Sequence, residues 1–151
     1  MKIVVFSDSH GRTQAMSRAL QQELPDVLIH LGDGFSDLPA DIGIPVYQVR
    51  GNCDSPACGL AESRLLELCG ARLFLTHGHR YNVKFGLERL QWAALEAQAQ
   101  LALFGHTHSA LLELNRDAPS LMNPGSIAGC PGSYGVISLK AGQFSCKLKT
   151  V

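Results

Sequence analysis

The stretch Leu101-Ala102-Leu103-Phe104-Gly105-His106-Thr107-His108 joins a run of four apolar residues to a glycine and two histidines. A short apolar run of this kind predicts a buried strand, which the glycine ends. The two imidazoles then lie just beyond the carboxyl end of the strand. Two histidines one residue apart rarely serve packing, and their side chains can reach two adjacent points. Such a pair suits two metal ions better than one, but by itself it is weak evidence for metal binding, and its value depends on the upstream segments that repeat the pattern.

Upstream segments repeat this pattern of an apolar run that ends in polar residues. The runs are residues 3–6, 27–31, 45–49 and 72–76. In open parallel sheets the carboxyl ends of the strands form the ligand-binding crevice. The metal-capable residues at these strand ends, together with the two histidines above, are Asp8, His10, Asp33, Asn52, His77, His106 and His108.

Helical periodicity marks residues 13–23, which Pro25 follows, and residues 84–98, which we assign to packing alone. Residues 64–68 and 72–76 predict a hairpin. Further short strands are expected at 111–114, 135–139 and 144–148, with residues 123–126 as a turn. Strand, loop and helix alternate at the start of the chain, so the sequence predicts an α/β fold.

Length and composition limit the function classes. The chain has 151 residues, 46% of them hydrophobic and 17% charged, which predicts one globular domain over residues 1–151. Thirteen basic and thirteen acidic residues give no net charge, and no basic block predicts extended nucleic-acid binding. No apolar run or signal-peptide pattern predicts membrane association, so the default expectation is cytoplasmic. A homo-oligomer stays open.

The chain has five cysteines, an odd number, and none of them forms a Cys-x-x-Cys pair. Neither a disulfide framework nor a thiolate zinc site is favoured. We expect most of these cysteines, including Cys53 and Cys130, to be small buried hydrophobic residues.

The seven strand-end residues offer oxygen and nitrogen ligands without a thiolate. Such a set suits manganese, iron, zinc, cobalt or nickel, and has too many imidazoles for a typical magnesium or calcium site. Two carboxylates carry about two negative charges, whereas two divalent cations carry four positive charges. The remaining positive charge can be balanced by a hydroxide and a singly charged phosphate diester. Two ions about 3.5–4 Å apart can activate a water and hold both oxygens of an in-line displacement. The set therefore predicts phosphate ester hydrolysis.

The series Asp8-x-His10, Gly32-Asp33, Gly51-Asn52, His77 and Gly105-His106-x-His108 resembles the motifs of the calcineurin-like metallophosphoesterase superfamily. Three longer motifs resemble the YfcE-type phosphodiesterase branch, related to the retromer subunit Vps29. They are Gly51-Asn52-Cys53-Asp54, Thr76-His77-Gly78-His79 and Asn123-Pro124-Gly125-Ser126.

This resemblance implies a two-sheet β-sandwich flanked by helices, in four α/β/β/α layers, with the site at one edge. It also implies two divalent transition-metal ions, manganese first, whose bound hydroxide attacks a phosphate diester. By position, Asp8, His10, Asp33 and His108 would hold one ion. Asp33 would bridge to the other ion, held also by Asn52, His77 and His106.

Two departures from the family pattern concern catalysis. Cys53 stands where many members have a histidine that protonates the leaving oxygen, and a thiol with an ordinary pKa near 8.5 is a poor acid at neutral pH. We therefore expect modest turnover and a preference for good leaving groups, with His79 and Arg80 as candidate substitutes. Second, Pro131 is followed by Gly132 rather than by the arginine frequent in this branch.

Two alternative functions remain. A phosphomonoesterase or nucleotidase would need more positive charge for a dianionic phosphate, and the candidates near the site are Arg12, Arg50 and Arg80. A non-catalytic interaction module like Vps29 tends to lose a metal histidine, and none is missing here.

Several nearby polar residues receive structural interpretations. We interpret His30, inside a strand, as structural. Asp37 and Asp54 are expected to cap or orient neighbours, with Asp54 also a candidate partner for a ligating imidazole. Asp37 also occupies the third glycine position of a dinucleotide fingerprint, which is therefore rejected.

Overall fold

In residues 1–38 and 42–151, which the computed structural model describes, ten strands form two five-stranded sheets. The strands are β1 Lys2–Phe6, β2 Val27–His30, β3 Val46–Gln48, β4 Ser63–Leu68, β5 Ala71–Thr76, β6 Leu101–Leu103, β7 Leu111–Glu113, β8 Ser120–Asn123, β9 Ser133–Lys140 and β10 Gln143–Thr150. The α-helices are α1 Thr13–Glu23 and α2 Glu88–Glu96. The strand orders are β10-β9-β1-β2-β3 and β4-β5-β6-β8-β7.

Both sheets are mixed, with a parallel centre. In the first sheet β1, β2 and β3 are parallel, and the β9–β10 hairpin adds antiparallel strands beside β1. In the second, β5, β6 and β8 are parallel, and β4 and β7 form antiparallel edges. The parallel strands of each sheet therefore end along a common edge.

Successive side chains of a strand point to opposite faces of its sheet. One face of each sheet therefore packs against the other sheet, and the opposite face packs against a helix. Ile3 and Val5 of β1 belong to the apolar cluster between the sheets, whereas Val4 and Phe6 pack in a cluster with Met16 of α1. In the second sheet, Ala102 packs in a cluster with Leu90 of α2. The layers are α/β/β/α, and the predicted fold class is confirmed.

Several strand ends differ from the sequence predictions by one or two residues, and two elements differ more. The strand β8, which lies between β6 and β7, was not predicted because only two of its four residues, Leu121 and Met122, are apolar. The second helix was predicted too long. It begins at Glu88 because Gly86 has a φ of +148°, outside helical geometry, and Phe85 before it is 92% exposed. Within the described residues, both α-helices fall short of the length and hydrophobicity needed to cross a bilayer.

The prediction of buried cysteines was wrong. Cys53, Cys69 and Cys130 are exposed, and Cys58 and Cys146 are partly buried, all with free thiols. The reason is position: Cys146 lies in an edge strand, and the other four lie in loops, turns or a short 3-10 helix.

Candidate metal centre

Asp8 lies just beyond β1 and is fully buried. Its Oδ2 accepts hydrogen bonds from Ser7 Oγ at 2.6 Å and from the backbone N–H of His106 at 3.1 Å. Its Oδ1 is buried and has no hydrogen-bond partner among the described residues, although Nε2 of His108 lies 3.1 Å from it. Burial of a carboxylate oxygen that accepts no hydrogen bond is energetically costly, and a bound cation would offset this cost.

Asp33 and His77 face each other across the two sheets. Asp33 Oδ1 accepts from the backbone N–H of Cys53 at 2.8 Å, and its Oδ2 lies 3.3 Å from Nε2 of His77. Nδ1 of His77 donates to the carbonyl of Leu31 at 2.8 Å, which directs Nε2 towards Asp33 and towards Asn52 Oδ1, 3.1 Å away.

The charges of this pair are coupled. Burial by itself would raise the pKa of Asp33, but the hydrogen bond from His77 and the N–H of Cys53 hold that pKa well below its usual range. Burial by itself would lower the pKa of His77, but Asp33 and the charge of Asp8 raise it. The protein thus compensates two buried carboxylates with one imidazole.

Two groups of three donors meet at this point. The donor atoms of Asp8, His10 and His108 lie within 4.8 Å of one another, and so do those of Asp8, Asp33 and His77. His106 lies beside the second group, with its ring centroid 5.1 Å from that of His77. All seven residues predicted as ligands therefore gather at one place. The resemblance names Asp33 as the bridging carboxylate, whereas the carboxylate common to both groups here is Asp8.

The backbone at these residues is strained. Five of the ten described non-glycine residues with positive φ are predicted ligands: Asp8 at 54°, His10 at 41°, Asp33 at 58°, His106 at 67° and His108 at 58°. A left-handed conformation costs about 1–2 kcal/mol for a residue with a Cβ. Such strain persists where the surroundings impose it, and it concentrates at functional sites.

Asp54 joins the two loops that carry Asp33 and Asn52. Its carboxylate accepts from the backbone N–H groups of Asp33, Gly34 and Gly51, each at 2.8 Å. Its interpretation as an orienting residue is confirmed, but its described partners are backbone groups and not an imidazole. Asp37 has a similar role, since it accepts from Ser9 Oγ and from the N–H of Gly11.

The segment 123–126, predicted as a turn, also supports the histidine loop. Asn123 Nδ2 donates to the carbonyl of Gly105 and to Thr107 Oγ1, each at 2.9 Å. Ser126 Oγ donates to the backbone carbonyl of Asp8 at 2.8 Å. These contacts join distant parts of the chain, and no local sequence pattern indicates them.

His30 is structural, as predicted from its place in a strand. It is the last residue of β2 and fully buried, with Nε2 3.1 Å from Ser9 Oγ and Nδ1 accepting from the N–H of Gly32. Burial lowers its pKa to about 4, so the ring is neutral at pH 7.

His79 and Arg80 lie at the rim. The His79 ring centroid is 5.6 Å from that of His77, and its Nδ1 is buried without a described hydrogen-bond partner. Arg80 binds the carboxylate of Glu62, a residue that sequence reasoning missed because it belongs to no motif. Cys53 is exposed, and its hydrogen bond with Asp33 raises the pKa of its thiol.

The donor set fits divalent metal ions. It offers two buried carboxylates, imidazole nitrogens and an amide oxygen, and one carboxylate oxygen has no other partner. Residues 1–142 match the model of the calcineurin-like phosphoesterase superfamily domain. The chain belongs to this superfamily. Its members are metallophosphoesterases, so the family implies divalent metal ions at this centre.

Known relatives agree with the YfcE-type branch. The chain is 34% identical to the phosphodiesterase YfcE of Escherichia coli K12 over 170 residues, which covers 91% of this chain and 87% of YfcE. A predicted phosphoesterase from Streptococcus pneumoniae has the same fold, with a TM-score of 0.81 and 28% identity over 99% of this chain and 88% of that one. Zinc-bound Vps29 from Entamoeba histolytica shares the fold, with a TM-score of 0.77 and 18% identity over 99% of each chain.

Proposed function

We propose that this protein is a phosphodiesterase that uses two divalent metal ions to hydrolyse a small phosphate diester. The observation that carries the proposal is the complete donor set, in which two groups of three donors share the unpartnered carboxylate of Asp8. The named activity of the YfcE relative supports the same reaction class.

The residues divide between the two ions. Asp8, His10, Asp33 and His108 would hold one ion, and Asn52, His77 and His106 would hold the other, with a carboxylate shared between them. Bound there, the ions supply an activated water and positive charge for the phosphate oxygens. Manganese is the first candidate, followed by nickel, zinc, iron and cobalt.

The chain's own residues orient these groups. The hydrogen bond that His77 Nδ1 donates to Leu31, and those that the N–H groups of Asp33 and Gly51 donate to Asp54, position the donors before any ligand binds. Because these groups are already oriented, they need not rearrange during the reaction, which lowers its barrier. We also propose a catalytic role for Asn52, whose amide oxygen lies 3.1 Å from Nε2 of His77.

The decisive experiment is hydrolysis of bis-(p-nitrophenyl) phosphate and p-nitrophenyl phosphate by metal-stripped protein, with manganese, nickel, zinc or magnesium added back. We expect a transition metal to restore diester hydrolysis, and His106→Ala to lower kcat/KM by about 100-fold or more, because the ion loses a ligand. Glu67→Gln, on the exposed side of β4, is the control and keeps full activity. Bound metal with neither ester cleaved would contradict the proposal and favour a Vps29-like interaction module.

Leaving-group dependence tests the absence of a strong proton donor. Because a thiol follows Asn52 in place of an imidazole, the leaving oxygen departs with little protonation. Across a series of aryl phosphate diesters we expect kcat to fall steeply as the pKa of the leaving phenol rises. A flat dependence would show that a residue such as His79 protonates the leaving oxygen efficiently.

A further inference from the structure

Glu62 holds two arginines at the rim of the metal centre. Its Oε2 accepts from Arg80 Nε at 2.8 Å and its Oε1 from an Arg80 terminal nitrogen at 3.1 Å, a bidentate pair. Arg50 binds the same Oε1, and Nε2 of His79 lies 3.8 Å from it. One carboxylate therefore occupies both guanidinium groups.

The backbone fixes this cluster against the ligand-bearing loops. The N–H of Arg50 donates to the carbonyl of Ala61 at 2.8 Å, and Thr76 Oγ1 donates to the carbonyl of Glu62 at 3.1 Å. Arg50 directly precedes Gly51 and Asn52, and Thr76 directly precedes His77. The Glu62 and Arg50 side chains are 28% and 17% exposed, so this pair belongs to the wall of the site, whereas the Arg80 side chain is 65% exposed.

We propose that Glu62 is a positioning residue that sets the substrate class: it favours phosphate diesters by keeping Arg50 and Arg80 away from the phosphate group. The inference rests on the proposed function above. A diester carries one negative charge, whereas a monoester above pH 7 carries nearly two, since its second pKa is near 6. A monoester thus gains more from free guanidinium groups, and these are engaged by Glu62, whose own charge also repels the dianion.

The test is the ratio of kcat/KM for bis-(p-nitrophenyl) phosphate to that for p-nitrophenyl phosphate at pH 8 in the metal-loaded protein. Glu62→Gln keeps the shape of the side chain and removes its charge. We expect the ratio to fall at least tenfold, through faster monoester hydrolysis and a lower KM for the monoester. Inorganic phosphate should also inhibit diester hydrolysis at a lower concentration.

The ratio separates specificity from folding, because a loss of folded enzyme lowers both rates equally and leaves their ratio unchanged. Glu67→Gln is the matched control. Glu67 of β4 also pairs with an arginine, Arg72 of β5, with 3.2 Å between Glu67 Oε1 and Arg72 Nε. This variant should keep the wild-type ratio. Glu62→Asp keeps the charge but shortens the side chain, and we expect a smaller fall.

Arg80→Ala added to Glu62→Gln should return the ratio towards wild type, because it removes one of the released guanidinium groups. The inference is overturned if Glu62→Gln keeps the ratio within twofold of wild type, or if the double variant behaves like Glu62→Gln alone. Wild-type protein that binds metal and cleaves neither ester would instead overturn the proposed function.

Discussion

Asp8 and four other predicted ligands adopt left-handed backbone conformations, which allow several candidate donors to converge. Residue types and spacing were sufficient to select seven candidate donors that the fold brings together, because each follows a recognisable strand. Glu62 was not predictable in the same way. It acts through Arg50 and Arg80, which are 12 and 18 residues away in sequence, and no local pattern marks such a contact.

A substitution at Gly51 can test whether the close approach of the donor loops positions Asp33. A Cβ at this position would overlap both the carboxylate and the backbone nitrogen of Asp33. We expect Gly51→Ala to displace Asp33 and to weaken manganese binding about 10–100-fold, as measured by calorimetric titration.

Gly59→Ala is the control for this substitution. Gly59 has a φ of +75° with nothing within 4 Å of an added Cβ, so alanine there should cost about 1–2 kcal/mol of stability and leave metal affinity unchanged. Equal affinity in wild type and Gly51→Ala would show that this close approach does not position Asp33.

At the scale of elements, strands with strong apolar runs and the amphipathic helix α1 were predicted from periodicity, and α1 has the predicted bounds. Elements that form only by pairing with other strands, or whose bounds depend on the adjacent backbone, were not predicted correctly. β8 has four residues and exists because β6 and β7 pair with both of its edges. The true start of α2 depends on the backbone at Gly86, which helical spacing alone does not reveal.

Glu23 joins the end of α1 to the first sheet. Its buried carboxylate accepts from Tyr134 of β9 at 3.0 Å and from Lys149 of β10 at 2.6 Å. The hydrogen bond from Lys149, with help from Tyr134, holds the pKa of Glu23 below its ordinary value of 4.5, although burial opposes this shift. We expect Glu23→Gln to lower the free energy of unfolding at pH 7 by about 1–3 kcal/mol, because it removes a charge-assisted bond.

The pH dependence has a definite sign. A carboxyl group with a lowered pKa in the folded state stabilises the protein fully above its unfolded pKa, and this contribution is lost as the pH falls through the folded pKa. Urea unfolding should therefore show that the difference between wild type and Glu23→Gln narrows below about pH 4.5. A difference that stays constant down to pH 3 would show that packing, and not charge, links α1 to the sheet.

At the scale of the whole molecule, the centre exists because two sheets meet. Asp8, His10, Asp33 and Asn52 follow strands of the first sheet, whereas His77, His106 and His108 follow strands of the second. The sequence predicted the strand ends individually, and the family resemblance implied that they share one edge. The strand orders, and the position of the β9–β10 hairpin beside β1, depend on pairing between distant segments, which local patterns do not contain.

We expect the stability of this protein to depend on metal, because the candidate centre brings buried carboxylates together. Asp8 and Asp33 are buried carboxylates whose donor atoms lie within 4.8 Å of each other, so they repel in the metal-free protein. Asp8→Asn retains an oxygen to accept from Ser7 and from the N–H of His106, and it removes one charge. In chelator we therefore expect Asp8→Asn to raise the free energy of unfolding by about 1 kcal/mol.

Manganese should reverse this order. At a metal concentration 100 times the dissociation constant, one site stabilises the wild type by about 2.7 kcal/mol, and Asp8→Asn should gain little because both donor groups lose a carboxylate. Urea unfolding with chelator and with manganese measures both effects, with Glu67→Gln as a control that follows wild type throughout. If Asp8→Asn is the less stable protein even in chelator, then hydrogen bonding in the fold, and not a metal ion, accounts for the buried carboxylate.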